Sequence, residues 1–171
     1  MECLAVGQAS LVEALLPAAY RSNQGLERIR AQVDWQPIEA LLQPMRRAPT
    51  GRPAYPPLVQ LKVLLLQHLR GLLTAPALQP ALAFGAGRQG YRLSDRDLEE
   101  ALADRLSFRR FCGLGLEDAV PDATTLSRFR IDLAEAGLAE AVSDALNTQL
   151  ERRGLVTEAG TMIDATPLAS S

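Results

Sequence analysis

Apolar positions along most of this chain recur three and four residues apart, the spacing of one helix face, and one short stretch near the end reads as a strand. Residues 4–16 predict a weak amphipathic helix that Pro17 stops. The stretch 25–45 carries Leu26, Ile29, Val33, Trp35, Ile38, Leu41 and Leu42. Pro37 should divide it, because proline fits the first turn of a new helix and breaks an interior. Asp34 is then the N-cap and Trp35 a packing anchor. Residues 46–57 hold four prolines, one glycine and three arginines, which makes them a loop. Residues 58–69 are apolar nearly all round, as in a helix buried in the middle of a bundle, and His68 near its end reads as a cap or surface residue.

Residues 72–92 break the pattern, with five alanines, three glycines and two prolines and no clear period. Structureless stretches this long are uncommon inside compact domains, so an insertion, a mobile loop or a foreign segment is expected here. Regularity returns at Ser94, an N-cap with Asp97 placed for a capping box. Leu98, Ala101, Leu102 and Leu106 make a helical stripe, Phe108 and Phe111 extend it, and Gly113 and Gly115 close it. Asp122 caps the next helix, with Leu126, Phe129 and Leu133 as its buried stripe. Gly137 suits the C′ position of that helix. Leu138, Val142, Ala145, Leu146 and Leu150 define another, ended by Gly154. Two helices joined through one glycine predict a helix-turn-helix-like hairpin. The strand covers 160–166.

The composition agrees with a mainly α fold. Of 171 residues, 47% are hydrophobic and 5% aromatic, enough apolar content for a core and against a β-sandwich. Net charge is −2, but it is divided. Residues 1–93 carry ten Lys and Arg against five Asp and Glu, and residues 94–171 carry eight against fifteen. A basic surface on the first half is therefore open to an acidic protein. Cys3 and Cys112 are too few for a disulfide framework or a zinc finger, and a single histidine excludes a two-His metal motif. No signal-like or membrane-spanning segment is read, so a cytoplasmic protein is expected.

Two places carry candidate chemistry. The helix after Asp122 places Thr124, Thr125, Ser127, Arg128 and Arg130 away from its apolar stripe. Short hydroxyls and arginines near a helix start suit phosphate and base-edge contacts in a major groove. The competing reading is an ordinary solvated face. Asp164 sits in the middle of the apolar strand, where a carboxylate is costly unless partnered and can ligate a hard divalent cation. Judged by itself it reads more readily as a strand-end or turn carboxylate.

An ordered series of motifs then narrows the choice: Thr50-Gly51-Arg52-Pro53 with Pro56, Leu61-Lys62 and Leu64-Leu65-Leu66-Gln67. It continues through Leu93-Ser94-Asp95-Arg96-Asp97-Leu98-Glu99, Ser107-Phe108-Arg109 and Phe111. It is strongest at Pro121-Asp122-Ala123-Thr124-Thr125-Leu126 with Arg128-Phe129-Arg130, and ends at Ile163-Asp164-Ala165-Thr166. Over most of residues 25–171 the series resembles the N-terminal region of DDE-type insertion-sequence transposases, in the insertion sequence five group. The resemblance implies a helical domain, residues 1–155, that binds double-stranded DNA at terminal inverted repeats. Residues 72–92 form an atypical insertion within it. It also implies that residues 156–171 begin a truncated catalytic domain of ribonuclease H-like fold, with Asp164 as the first carboxylate of the Asp-Asp-Glu triad. Such triads hold two Mg²⁺ ions at a phosphodiester.

The expectation is a truncated transposase that keeps DNA binding and, with one carboxylate, is inactive alone. Partners would be inverted-repeat DNA and either further copies of itself or a full-length transposase, with no membrane. The alternative is a helical interaction module that joins full-length subunits without DNA activity of its own, through the apolar helix 58–69 and the unpaired strand. A third reading, an unrelated helix-turn-helix regulator, has no use for the terminal strand.

Overall fold

A helix that is apolar all round needs neighbours on every side, and that requirement organises the computed structural model. It describes residues 3–8, 14–17, 23–46, 54–74 and 93–154. These form seven α-helices and a 3-10 turn: α1 (Gln24–Gln32), α2 (Trp35–Leu41), the turn Gln43–Arg46, α3 (Pro57–Thr74), α4 (Asp95–Asp104), α5 (Leu106–Cys112), α6 (Ala123–Glu135) and α7 (Ala139–Arg152). The all-apolar helix is α3. Leu61, Val63, Leu64, Leu65 and Leu66 are each at most 1% exposed, and α3 packs against α2, α4, α5 and α6. Full burial of one such side chain stabilises by roughly 1.5–3 kcal/mol, so α3 is the main source of cohesion. The apolar side chains from Val59 to Leu66, and Leu69, are enclosed inside the bundle. The interaction-module reading, which needed the surface of 58–69 exposed, loses this support.

Pro57 opens α3 at a position where its missing N–H would have no helical partner anyway. The helix runs on to Thr74, beyond the predicted end at 69. His68 therefore lies within the helix and is not a cap. Residues 75–92 of the atypical stretch lie outside the described residues, as do the predicted strand and Asp164.

The division before Pro37 falls where expected. Val33 and Asp34 are extended, the Asp34 carboxylate accepts from Gln36 N at 3.1 Å, and Pro37 sits in the first turn of α2. Trp35 packs edge-on against Phe111, ring centroids 6.1 Å apart. The Lys62 ammonium stands 4.3 Å from its ring centroid, and burial lowers the Lys62 pKa. Gln149 on α7 lashes the α1–α2 junction. Its Oε1 accepts from Asp34 N at 2.7 Å and its Nε2 donates to Asp34 O at 2.8 Å.

Two local expectations are corrected. Residues 3–8 are not helical; they run as a strap, with Leu4 N donating to Ala54 O at 2.9 Å and Gly7 N to Asp118 Oδ2 at 2.6 Å. A Cβ on Gly7 would stand 2.7 Å from Gly113 O, and one on Gly115 2.7 Å from Gln8 O. Two backbones cross here at a distance that glycine permits and a side chain does not. Of the predicted helix over 4–16, Ala14 and Leu15 are helical and 9–13 lie outside the described residues. The second correction is a break at Arg105, extended at φ −110°, between α4 and α5. At about 3.6 residues per turn, one straight helix would put Phe111 on the far side from Leu98 and Leu102. The break lets all three be buried.

The capping box forms as read, Asp97 N donating to Ser94 Oγ and Ser94 N to Asp97 Oδ2, both at 3.1 Å. At the end of α6, Leu138 N donates to Leu133 O at 3.1 Å and Gly137 N to Ala134 O at 3.0 Å, with Gly137 at φ +66°. This is a Schellman turn. Past it the helices diverge: α6 packs on α3 and α4, α7 on α2. The pair is a corner, each helix having its main partner elsewhere.

Two arginines tie the bundle. Arg109, 7% exposed, donates to the carbonyls of Leu102, Gly115, Leu116 and Asp118. It closes the open end of α4 and fixes the loop leading to α6. Arg130 of α6 binds Asp95 of α4 through two bonds, Nη1–Oδ2 at 2.7 Å and Nη2–Oδ1 at 2.6 Å. Gln67 of α3 accepts from Arg130 Nη2 at 2.7 Å and donates to Asp95 Oδ1 at 2.7 Å and to Leu93 O at 3.0 Å. The hydrogen bonds from Arg130 hold the Asp95 carboxyl below its usual range, against the opposing effect of burial, and Gln67 adds to the lowering.

Replacing Arg109 by Met should cost about 2–4 kcal/mol in chemical denaturation, because several buried carbonyls lose their donor. Lysine should recover little, lacking the planar fork. The Asp95 clamp predicts a pH dependence of known sign. A lowered folded pKa means stability that is full above the ordinary aspartate pKa near about 3.9 and is lost as pH falls through the folded value. At neutral pH Asp95→Asn should be less stable than wild type by about 1–2 kcal/mol, allowing for solvent screening of a half-exposed pair. Urea midpoints on acidification should show that gap closing.

Candidate nucleic-acid interface

α6 has a fixed orientation. Leu126, Phe129 and Leu133 are buried, and Arg130, four residues after Leu126, lies along the same flank and reaches inward to Asp95 and Gln67. The opposite side faces solvent. Thr124, Ser127 and Arg128 are exposed there, followed by Ile131, Asp132 and Glu135.

The five side chains expected at the interface therefore separate. Thr124, Ser127 and Arg128 share the outward face. Thr125 is half-buried, and its N–H donates to Asp122 Oδ1 at 2.6 Å. The Thr125 hydroxyl, and next its N–H, hydrogen-bond the Asp122 carboxylate and lower its pKa. Thr125 thus belongs to the cap. Arg130 belongs to the clamp. The spacing held a signal for Arg130, since position i+4 from a buried Leu126 borders the buried stripe. Ile131, 53% exposed at i+7 from Thr124, was not among the residues singled out from sequence.

The N-terminus of α6 is chemically occupied. Ala123 N donates to Glu99 Oε2 at 3.2 Å and Thr125 N to Asp122 Oδ1. Helix N-termini attract anions because their first N–H groups are free. Here two carboxylates already satisfy them, so contacts to nucleic acid would run through the side-chain face. The helix start is held from behind as well. Tyr55 Oη donates to Ala119 O at 3.1 Å, and Gln60 Nε2 donates to Tyr55 O at 3.0 Å. Asp118 Oδ2 accepts from both Gly7 N and Gly115 N at 2.6 Å.

Among the described residues no group of three or more His, Cys, Asp or Glu is placed to hold a metal ion. Asp164, the residue expected to hold Mg²⁺, lies outside the described residues. No described helix is long and apolar enough to cross a membrane.

A family model described as a transposase domain, DUF772, matches residues 16–84 and 87–132. The match takes in α1 to α5 and most of α6, and it runs through much of the stretch 72–92 that reads from sequence as an insertion. No solved structure matches the chain. With more than half its length matched, the chain belongs to the DUF772 transposase domain family.

Proposed function

We propose that this protein is the DNA-binding part of a DDE-type insertion-sequence transposase of the insertion sequence five group, and that α6 engages terminal inverted-repeat DNA. The observation that carries the reading is the outward face of α6. A helix locked against the bundle on one side displays Thr124, Ser127 and Arg128 on the other. Membership of a transposase domain family supports DNA as the substrate class. Arg128 is the direct reader, suited to bidentate hydrogen bonding at a guanine edge, with Thr124 and Ser127 beside it. Arg130 acts at one remove, by setting the azimuth of the helix. Asp132 and Glu135 on the last turns make that end the less favourable one near phosphate, so the N-terminal turns of α6 lie deepest in the groove.

The family resemblance further supports Asp164 as an oxygen ligand of Mg²⁺ in a catalytic assembly with further copies or a full-length subunit. In any assembly that shows Mg²⁺-dependent nicking, Asp164→Ala should abolish it. Retained nicking would remove Asp164 from the site.

Fluorescence anisotropy with an inverted-repeat duplex and a scrambled duplex, at one fixed salt concentration, tests the α6 reading. Arg128→Ala should weaken binding to the repeat about tenfold and narrow its margin over the scrambled duplex. Asp132→Ala should bind as well as wild type or more tightly. Equal affinity of wild type and Arg128→Ala would remove α6 from the interface.

A further inference from the structure

Two large apolar side chains among the described residues stand mostly in solvent, Leu15 at 85% and Ile131 at 53% exposed. Ile131 has a specific setting. Thr124, Ser127, Arg128 and Ile131 fall at i, i+3, i+4 and i+7, one continuous helix face. A helix lying in a major groove presents that same set of positions to the base edges. The buried stripe and the Arg130 clamp hold the opposite side of α6 against the bundle, so Ile131 cannot rotate inward. A branched aliphatic side chain neither donates nor accepts a hydrogen bond. Among the groups on the major-groove floor, the one it matches is the 5-methyl of thymine.

We infer that Ile131 is a specificity-determining residue that reads a thymine methyl in the DNA site. The inference rests on the reading of α6 as the DNA-contacting helix and adds what one position of that helix selects. Arg128 supplies the polar contact to one base pair. Ile131, one turn further along, supplies an apolar contact to another. Thymine and cytosine differ at this groove edge by the methyl and by an acceptor in place of a donor. Ile131 rewards the methyl and leaves the cytosine donor unpaired.

The test uses the full chain and a random-sequence duplex library at fixed salt, with wild type, Ile131→Ala, Ile131→Val and Arg128→Ala compared. Wild type should enrich a motif containing a thymine whose replacement by uracil, which removes the methyl alone, weakens binding about fourfold, the worth of one buried methyl. Ile131→Ala should bind the thymine and uracil forms alike, and Ile131→Val should keep the difference. Ile131 is exposed, so both variants should give the wild-type circular dichroism spectrum. Suppose uracil replaces every thymine of the motif without loss, or Ile131→Ala keeps the thymine preference, while Arg128→Ala still weakens binding. The role of Ile131 is then overturned and the DNA reading of α6 stands. If no motif is enriched, or Arg128→Ala and Ile131→Ala both leave binding unchanged, the two readings fall together.

Discussion

The contact on which the arrangement turns is the bidentate pairing of Arg130 with Asp95, shared with Gln67. It joins α6, α4 and the central α3 at one point. An arginine fork and a carboxylate fit in one relative orientation, so the pairing fixes rotation as well as distance. Apolar packing of Leu126, Phe129 and Leu133 alone would tolerate some roll of α6, because hydrophobic contact is non-directional. With the clamp, the roll is set. Thr124, Arg128 and Ile131 then face outward as a consequence of where Arg130 is held. The half-exposed charges are less costly to keep than buried ones would be, and their neutral partner Gln67 uses its carbonyl and its amide together.

The same logic explains why α6 suits side-chain recognition better than phosphate capture at its tip. Asp122 and Glu99 cover the first N–H groups and place negative charge where a phosphate would need positive potential. A helix capped in this way gains stability from the Asp122 and Glu99 carboxylates and gives up its anion site. What remains for DNA is the lateral face, where Arg128 carries the positive charge. The division of charge along the chain fits this polarity in a limited sense. α6 lies in the acidic half, so the proposed DNA contact would rely on a local arrangement of side chains and on whatever basic surface the first half contributes.

What could be read in the sequence was local, and what could not was long-range. The Ser94–Asp97 box, the Asp34 and Asp122 caps, the effect of Pro37 and the turn at Gly137 each depend on residues within a few positions of one another. The buried character of α3 was legible because an all-apolar helix has one physical solution. Spacing from Leu126 places Arg130 at the border of the buried stripe, but its partners lie 35 and 63 residues away and no local rule announces them, so from sequence it reads as part of the outward face. The break at Arg105 carries neither glycine nor proline. It arises from the demand to bury Phe108 and Phe111 together with Leu98 and Leu102, a tertiary constraint. Arg109, which the sequence offers only as part of the Ser107-Phe108-Arg109 motif, is a buried carbonyl clamp whose acceptors no local rule identifies. The strap at residues 3–8 depends on the glycines that let it cross residues 113–115, which pattern alone does not pair.

These long-range ties converge on the two ends of one helix. The loop before α6 is held by Arg109 from inside, by Asp118 through Gly7 and Gly115, and by Tyr55 at Ala119. The loop after it is closed by the Schellman turn, beyond which Gln149 anchors α7 to Asp34. A recognition surface loses affinity in proportion to the freedom it must give up on binding. Here that freedom is already removed by interactions that never touch the outward face. Thr124, Ser127, Arg128 and Ile131 carry no fold-determining side-chain contact among those described, and the residues that orient them spend their polar groups on the bundle or on the cap. The two tasks are divided between neighbouring positions of one helix, Arg130 serving the bundle and Arg128 the solvent side. If the outward face reads DNA as proposed, its sequence preference can change while the clamp, the cap and the buried stripe stay as they are.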